Sequence, residues 1–211
     1  MDPASPAIAA QPDRRSGQRY TLILRAGKLI CAAGEFLCVL RDVSDKGLKA
    51  RLFHPLPPSP SYEIELYDGA RLGIEPVWSR GFNAGFRFAD APVDVHGLLA
   101  EAGPFPKRHI RLALATDLNV QLLGADGVRI GRVRDVSQHG AQLEVEGALK
   151  IGQQLRLEAA HFPPQQVRVR WRRGSRYGVV FQQGFRLDQL AELVARLQLG
   201  PDDAVSSAQT A

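Results

Sequence analysis

The residues best suited to bind a ligand occur in two copies of one short polar sequence. Residues 41–47 read RDVSDKG and residues 134–140 read RDVSQHG. A carboxylate only accepts hydrogen bonds, a hydroxyl both donates and accepts, and glycine permits a positive φ or the close approach of another group. A turn needs only the glycine and a small polar residue. The shared Arg-Asp-Val-Ser therefore needs a further reason, unless the repeat is simply a turn capped by its own Asp and Ser side chains.

A segment rich in arginine precedes the first copy. The sequence DRRSGQRY places Arg14, Arg15 and Arg19 just before the first predicted strand. A guanidinium group holds its N–H donors in a planar fork, which matches phosphate oxygens and stacks on flat rings. A flexible arm of this kind is suited to fold over an anionic ligand. The alternative is a solvated basic tail.

The chain contains an internal repeat with a constant offset of 93 residues. A fixed offset without gaps indicates a duplicated domain of about ninety residues. We expect a first domain over 14–102, a linker over 103–106 (GPFP) and a second domain over 107–199. Residues 1–13 and 200–211 are expected to be flexible tails. The identities that keep the offset are Asp42/Asp135, Ser44/Ser137, Gly47/Gly140, Trp78/Trp171, Gly85/Gly178 and Phe88/Phe181.

Within each repeat, short apolar runs alternate with turn residues, which is typical of an antiparallel barrel. Each repeat ends in a helical pattern, over 93–102 in the first and 187–197 in the second. The fold class predicted is therefore all-β dominated, with two tandem antiparallel barrels each followed by a C-terminal helix. Trp78, Trp171, Phe88 and Phe181 are expected in the cores, with no binding role. The strands predicted for the first repeat are 28–31, 36–41, 48–53, 62–67, 72–78 and 85–88.

Composition and motifs exclude several classes of protein. The 211 residues are 45% hydrophobic and 23% charged, as in a globular protein. The net charge of +5 favours an anionic partner without identifying it. Neither a metal-ligand spacing nor a G-x-S-x-G or phosphate-binding glycine motif occurs, so we expect no enzyme, cofactor or metal site. We also expect no signal peptide and no spanning segment, and hence a cytoplasmic location.

The two cysteines, Cys31 and Cys38, flank a predicted turn. In one strand register they would face each other as a redox pair. In a reducing compartment, two buried thiols acting as small apolar side chains are the favoured interpretation.

The arginine arm followed by the polar turn resembles the PilZ domain, a bacterial receptor domain for the second messenger cyclic di-GMP. The resemblance rests on R-x-x-x-R at Arg15 and Arg19, followed by D-x-S-x-x-G at Asp42, Ser44 and Gly47. It extends over nearly all of both repeats, and it implies six-stranded barrels that bind the ligand on their outer face. The family suggests a role in motility, surface polysaccharide or adhesion through a downstream protein partner, without choosing among them.

Cyclic di-GMP carries two phosphates and two guanines, so its site needs both charge and flat partners. The resemblance implies that Arg15 and Arg19 bind phosphate and guanine, with Arg14 as a helper. It implies that Asp42 accepts from a guanine edge and that Ser44 adds a hydroxyl contact, while the motif glycine lets the turn approach the ligand. Ligand binding would then order the arm against the first barrel, a disorder-to-order switch.

The second repeat keeps the polar turn but departs from the pattern in its opening, PKRHIRLAL. Aligning Arg111 with Arg19 puts Lys107 at the first arginine position, whereas the constant offset puts Arg108 there and a leucine at the second. Because lysine lacks the forked donors and the stacking plane of arginine, we expect this second site to be weakened or lost. Its candidate residues are Lys107, Arg108, Arg111, Asp135, Ser137 and Gly140.

The second repeat also carries VRVRWRR over residues 167–173, where the first reads IEPVWSR. Strand alternation predicts Arg168, Arg170 and Arg172 on one face. A solvated barrel face is the simplest interpretation, and docking of an acidic protein or anionic lipid is the alternative. Two other functions stay open. One is a ligand-free pair of PilZ-like barrels used for protein contacts, and the other is a basic nucleic-acid-binding barrel, against which the lack of aromatics among the outward arginines argues.

Overall fold

The computed structural model describes residues 20–66, 69–95 and 109–200, with side chains in the first range from residue 25 onward. Three of the predicted features lie outside these residues: the arginine arm, the 103–106 linker and residues 1–13. The same holds for most of the predicted helix over 93–102 and for residues 201–211.

The first barrel consists of six antiparallel strands. They close in the order β1-β2-β3-β6-β5-β4. Each predicted strand falls on one of the observed strands. The strands are β1 (Tyr20–Cys31), β2 (Gly34–Val43), β3 (Gly47–Arg51), β4 (Tyr62–Glu65), β5 (Arg71–Arg80) and β6 (Asn83–Phe88).

The second barrel repeats this arrangement and confirms the predicted fold of two six-stranded antiparallel barrels. Its strands close in the order β7-β8-β9-β12-β11-β10, the same path as in the first barrel. A helix, α1 (Leu187–Leu199), follows and confirms the helix predicted over 187–197. The strands are β7 (Leu112–Gly124), β8 (Gly127–Ser137), β9 (Gly140–Val145), β10 (Gln154–Ala159), β11 (Phe162–Arg173) and β12 (Arg176–Phe181).

Alternation of apolar and polar residues gives each barrel its own core. In β9, for example, Ala141, Leu143 and Val145 are buried and the residues between them are not, as expected for a strand with one face inward. The helix α1 buries Leu190, Leu193 and Val194 on one side. Its first turn is stabilised by a hydrogen bond from the backbone N–H of Arg186 to the side chain of Gln189 (3.0 Å).

The prediction that four aromatic residues lie in the cores was confirmed for the two phenylalanines and wrong for the two tryptophans. Phe88 and Phe181 are buried, but Trp78 and Trp171 remain 44% and 37% exposed. A β-bulge lies at the same place in both barrels, between Pro76 and Trp78 and between Val169 and Trp171. A bulge adds one residue to one strand and so shifts the in-and-out alternation of the residues that follow. Both indole rings therefore lie on the outer surface.

The two barrels contact each other through the β1–β2 hairpin, the beginning of β7 and the end of α1. The side-chain carboxylate of Glu35 accepts a hydrogen bond from the backbone N–H of Ala113 (2.7 Å). The backbone carbonyl of Glu35 accepts one from the side-chain amide of Gln198 (2.6 Å). The Gln198 side chain in turn accepts from the N–H of Ala115 (3.1 Å). Leu37 of the first barrel is buried within the apolar cluster of the second.

The redox-pair alternative for the cysteines was wrong. Cys31 pairs with Gly34 across the hairpin and Cys38 pairs with Gly27, so the two residues do not face each other. Both thiols are free. Cys38 is fully buried, and this burial raises the pKa of its thiol to about 12. It acts as a small apolar side chain.

None of the helices in the described ranges has the length and apolar character needed to cross a membrane.

Candidate ligand-binding faces

The D-x-S-x-x-G sequence of the first barrel forms the turn between β2 and β3. The Ser44 hydroxyl donates to the carbonyl of Gly47 (3.3 Å) and accepts from the N–H of Lys46 (3.4 Å). A side chain at Gly47 would collide with the carbonyl oxygen of Phe86 on the neighbouring strand. The serine and the glycine therefore hold the turn itself, whatever else they contact.

Asp42 differs from these two residues. It lies on β2 between Thr21 of β1 and Lys49 of β3, and it is half-buried. Within the described part of the chain its carboxylate has no hydrogen-bond or ion-pair partner. The turn does not use it, so it keeps its acceptor capacity for another group.

A pocket of about 500 Å³ opens beside this turn on the outer face of the barrel. Asp42, Ser44 and Gly47 lie along it, together with Lys46, Lys49 and Trp78. The Trp78 ring lies against Gly85, where any side chain would collide with the indole, and the Lys49 Nζ lies 6.0 Å from the ring centroid. The pocket thus combines a carboxylate, two ammonium groups and an exposed aromatic ring.

Sequence reasoning missed Lys46, Lys49 and Trp78. The two lysines carried a usable signal, since they flank the motif glycine at outward positions. Trp78 carried only a weak one, because its outward position depends on a bulge that alternation does not predict. The three arginines expected at this site, Arg14, Arg15 and Arg19, lie outside the described residues.

The second barrel holds its turn in the same way but surrounds it differently. The Ser137 hydroxyl donates to the carbonyl of Gly140 (3.1 Å). A side chain at Gly140 would collide with the carbonyl oxygen of Val179. Asp135, however, accepts from Arg111 (Nη1 to Oδ1, 3.1 Å), which is 55% exposed. The carboxylate that is unpaired in the first barrel is therefore neutralised here.

Two histidines complete this face. His139 stands 93 positions after Lys46, and its ring meets that of His109 edge to face, with centroids 4.3 Å apart. The other two residues proposed for this site, Lys107 and Arg108, lie outside the described residues.

The predicted stripe of three arginines on β11 is divided in the structure. Arg168 and Arg170 line a pocket of about 210 Å³ with Gln154, Gln166 and Gln182. Arg172 instead lies over the Tyr177 ring, 5.5 Å from its centroid, and donates from Nε to the carbonyl of Gly174 (3.1 Å). The bulge between Val169 and Trp171 explains the division, because it shifts the alternation between Arg170 and Arg172.

Comparison with known proteins gives one family match, and it covers the second of these barrels. Residues 106–198 match the family model of the PilZ domain, from just before β7 to nearly the end of α1. The first barrel lies outside the match. No curated protein matches the chain.

Several solved structures are similar to most of the chain. The Borreliella burgdorferi PlzA protein in complex with c-di-GMP is 11% identical, over 81% of this chain and 87% of that one, with a TM-score of 0.31. Escherichia coli YcgR in complex with c-di-GMP is 11% identical, over 80% of each chain, with a TM-score of 0.31. The K. pneumonia MrkH–c-di-GMP complex is 14% identical, over 83% of this chain and 86% of that one, with a TM-score of 0.33.

Proposed function

We propose that this protein is a receptor for cyclic di-GMP, not an enzyme, and that it binds the ligand in the first-barrel pocket. The observation that carries the proposal is the pocket itself, in which Asp42, unpaired within the described chain, meets Lys46, Lys49 and Trp78. A cyclic dinucleotide offers guanine edges that can donate to a carboxylate, phosphates that bind cations and bases that stack on a flat surface. The matching of the second barrel to the PilZ family supports the choice of ligand.

In this proposal each group has one role. Asp42 accepts from the guanine N1 and N2 donors, Lys46 and Lys49 face the phosphates, and the Trp78 ring stacks on a base. Ser44 and Gly47 hold the turn that positions Asp42. The arm residues Arg14, Arg15 and Arg19 close over the ligand with their forked donors.

The connectivity of the chain supports a role for the arm. The first described residue, Tyr20, pairs with Val43, and Thr21 pairs with Asp42. The arm is thus joined to the barrel beside the motif turn. Ordering of the arm on ligand binding then creates or removes a surface for a downstream protein partner.

Calorimetric titration of cyclic di-GMP at fixed salt tests the proposal. Arg19→Ala should weaken binding about tenfold to a hundredfold, since a hydrogen bond to a charged group contributes roughly 1.5 to 3 kcal/mol. The matched control is Arg80→Ala, which removes an exposed arginine of the same barrel outside the pocket. A second measurement uses the fluorescence of Trp78 in a Trp171→Phe background, which should change on titration. Equal losses in Arg19→Ala and Arg80→Ala would contradict a role for the arm.

A second function, a PilZ-like module that binds proteins without a nucleotide, is favoured by one observation. In the barrel that matches the PilZ family, the Asp135 carboxylate is already paired with Arg111 and so does not have its full acceptor capacity for a nucleotide. A folded wild-type protein that gives no heat with cyclic di-GMP, together with no Trp78 response in the Trp171→Phe background, would overturn the receptor and favour this alternative.

A further inference from the structure

The outer surfaces of β5 and β11 carry opposite charge at one pair of corresponding positions. Residues 93 apart occupy the same place in the two barrels, so Glu75 of β5 corresponds to Arg168 of β11. Glu75 accepts from Arg87 on β6 (2.6 Å), and this pair is neutral. The residue opposite Arg168 is Val180. Within the described part of the chain, neither Arg168 nor Arg170 has an acidic partner.

These arginines lie next to the motif turn of the second barrel. Gly140 pairs with Val180, and Val180 pairs with Arg168, so the three residues form one row across the sheet. With neighbouring strands 4.7 to 4.9 Å apart, the backbone of Arg168 lies about 10 Å from that of Gly140. Val180 between them is only half-buried, and Arg168 is exposed. A ligand on the turn is therefore within reach of the Arg168 side chain.

Arg170 and Trp171 occupy the positions that form one wall of the first-barrel pocket. Their counterparts are Val77 and Trp78, which both line that pocket. The Trp171 ring lies against Gly178 as Trp78 lies against Gly85. The flat surface for a base is thus present in both barrels, and in the second barrel an arginine stands beside it.

The cationic groups lie at different positions on the ligand-binding faces of the two barrels. The first barrel carries Lys46 and Lys49 near its turn, whereas the corresponding residues of the second are His139 and Gln142. The second barrel instead carries Arg168 and Arg170, both exposed, on β11. Because Arg111 neutralises Asp135, an anion on this face does not meet an unpaired carboxylate.

We propose that the second barrel has its own nucleotide-binding face, on which Arg168 and Arg170 bind a phosphate of a second cyclic dinucleotide and Trp171 stacks on a base. The proposal rests on the proposed function for the choice of ligand. Two forked guanidinium groups bind phosphate oxygens in a bidentate way, and the side-chain amides of Gln154, Gln166 and Gln182 supply further donors and acceptors. A pocket of about 210 Å³ takes only part of a dinucleotide. The rest lies over Trp171 and the motif turn.

The stoichiometry of cyclic di-GMP binding to the full chain tests this inference. Wild type should bind two molecules, and the double variant Arg168→Gln/Arg170→Gln should bind one. The matched control is Arg173→Gln/Arg176→Gln, which removes the same charge from the same hairpin at the far end, where the two residues pair across the strands. The control should still bind two. Equal effects of both doubles would overturn the proposal, since they would reflect overall charge alone.

Combination with Arg19→Ala separates this inference from the proposed function. In the Arg168→Gln/Arg170→Gln background, Arg19→Ala should weaken the remaining site tenfold or more. A wild type that binds a single ligand, lost with Arg19→Ala and unaffected by the β11 double variant, would overturn the second face and leave the receptor in place. Absence of any binding would overturn both.

A macromolecular polyanion is distinguished by a parallel titration with a single-stranded oligonucleotide at two salt concentrations. Binding of the oligonucleotide that is steeply salt-dependent and lost in the β11 double variant, with cyclic di-GMP stoichiometry unchanged, would overturn the nucleotide assignment.

Discussion

The first and second barrels hold the same turn on the same strands but place different charges around it. Ser44 and Gly47 make the contacts that Ser137 and Gly140 make in the second barrel, and each glycine lies against a backbone carbonyl of the next strand. The aspartates differ: Asp42 is unpaired within the described chain, and Asp135 is bound to Arg111. Within D-x-S-x-x-G, then, the serine and glycine hold the turn in both barrels, and the aspartate is the member whose surroundings differ between them.

The same contrast extends to the charged groups that stabilise the barrels. Lys28 is buried in the first barrel and pairs with Glu35 and Glu65, both at 3.0 Å. Burial alone would raise the pKa of Glu65, but Lys28 and Arg71 lower it overall. The counterpart of Lys28 in the second barrel is Gln121, which is exposed. Only the first barrel therefore depends on this buried cation.

Replacement of Lys28 should give the largest difference in stability between the barrels. Lys28→Ala removes the buried cation from Glu35 and leaves Glu65 paired with Arg71 alone, which should cost up to about 3 to 5 kcal/mol. The matched variant Gln121→Ala should change stability by less than about 0.5 kcal/mol. Each barrel contains one tryptophan, so urea unfolding followed by fluorescence in Trp171→Phe and Trp78→Phe backgrounds reports on the first and second barrel separately. Equal shifts for the two variants would mean that the Lys28 pairs add nothing specific.

Replacement of the motif glycines should affect the two barrels alike. Gly47→Ala and Gly140→Ala each place a methyl group against a fixed carbonyl oxygen, which should cost about 1 to 3 kcal/mol in the barrel concerned. The same fluorescence backgrounds measure both. If Gly47→Ala strongly lowers the stability of its barrel and Gly140→Ala does not, the two turns are not structurally equivalent. Asp42→Asn and Asp135→Asn serve as controls, since neither side chain takes part in the turn.

The sequence predicted the strands, the barrel class and the helix after the second barrel, because alternation and turn residues recur in both repeats. The prediction was wrong where one extra residue shifts the in-and-out alternation of a strand. The bulges before Trp78 and Trp171 turned two predicted core residues outward. The second of them also separated Arg172 from Arg168 and Arg170. The two-residue alternation of a strand does not reveal where an extra residue is inserted. Contacts between the barrels, such as that of Glu35 with Ala113, could not be predicted either, because they join positions far apart in sequence.

Mild acid should produce the smallest of these differences, again confined to the first barrel. His54 is buried beside the Phe36 ring, with its Nε2 unpartnered in the described chain, and its counterpart in the second barrel is Gly147. Burial lowers the pKa of His54 below its usual 6.5. Above pH 6.5 the imidazole is neutral whether the chain is folded or unfolded, so stability is fully present there. As the pH falls from 6.5 toward the folded pKa, the unfolded chain takes up the proton first, and stability is lost by up to about 1.4 kcal/mol per pH unit.

His54→Phe keeps a ring against Phe36 and removes the titrating group, so the first barrel of this variant should show a flatter stability between pH 6.5 and 5 than wild type. At pH 7.5 the variant should be less stable by about 1 kcal/mol, because it loses the hydrogen bond between His54 Nδ1 and the carbonyl of Pro55 (2.7 Å). Urea midpoints in the Trp171→Phe background measure the effect, and the Trp78→Phe background shows whether the second barrel responds. If the urea midpoint of the wild-type first barrel falls no more than that of His54→Phe between pH 6.5 and 5, the prediction is wrong. His54 would then take up its proton in the folded chain as readily as in the unfolded chain.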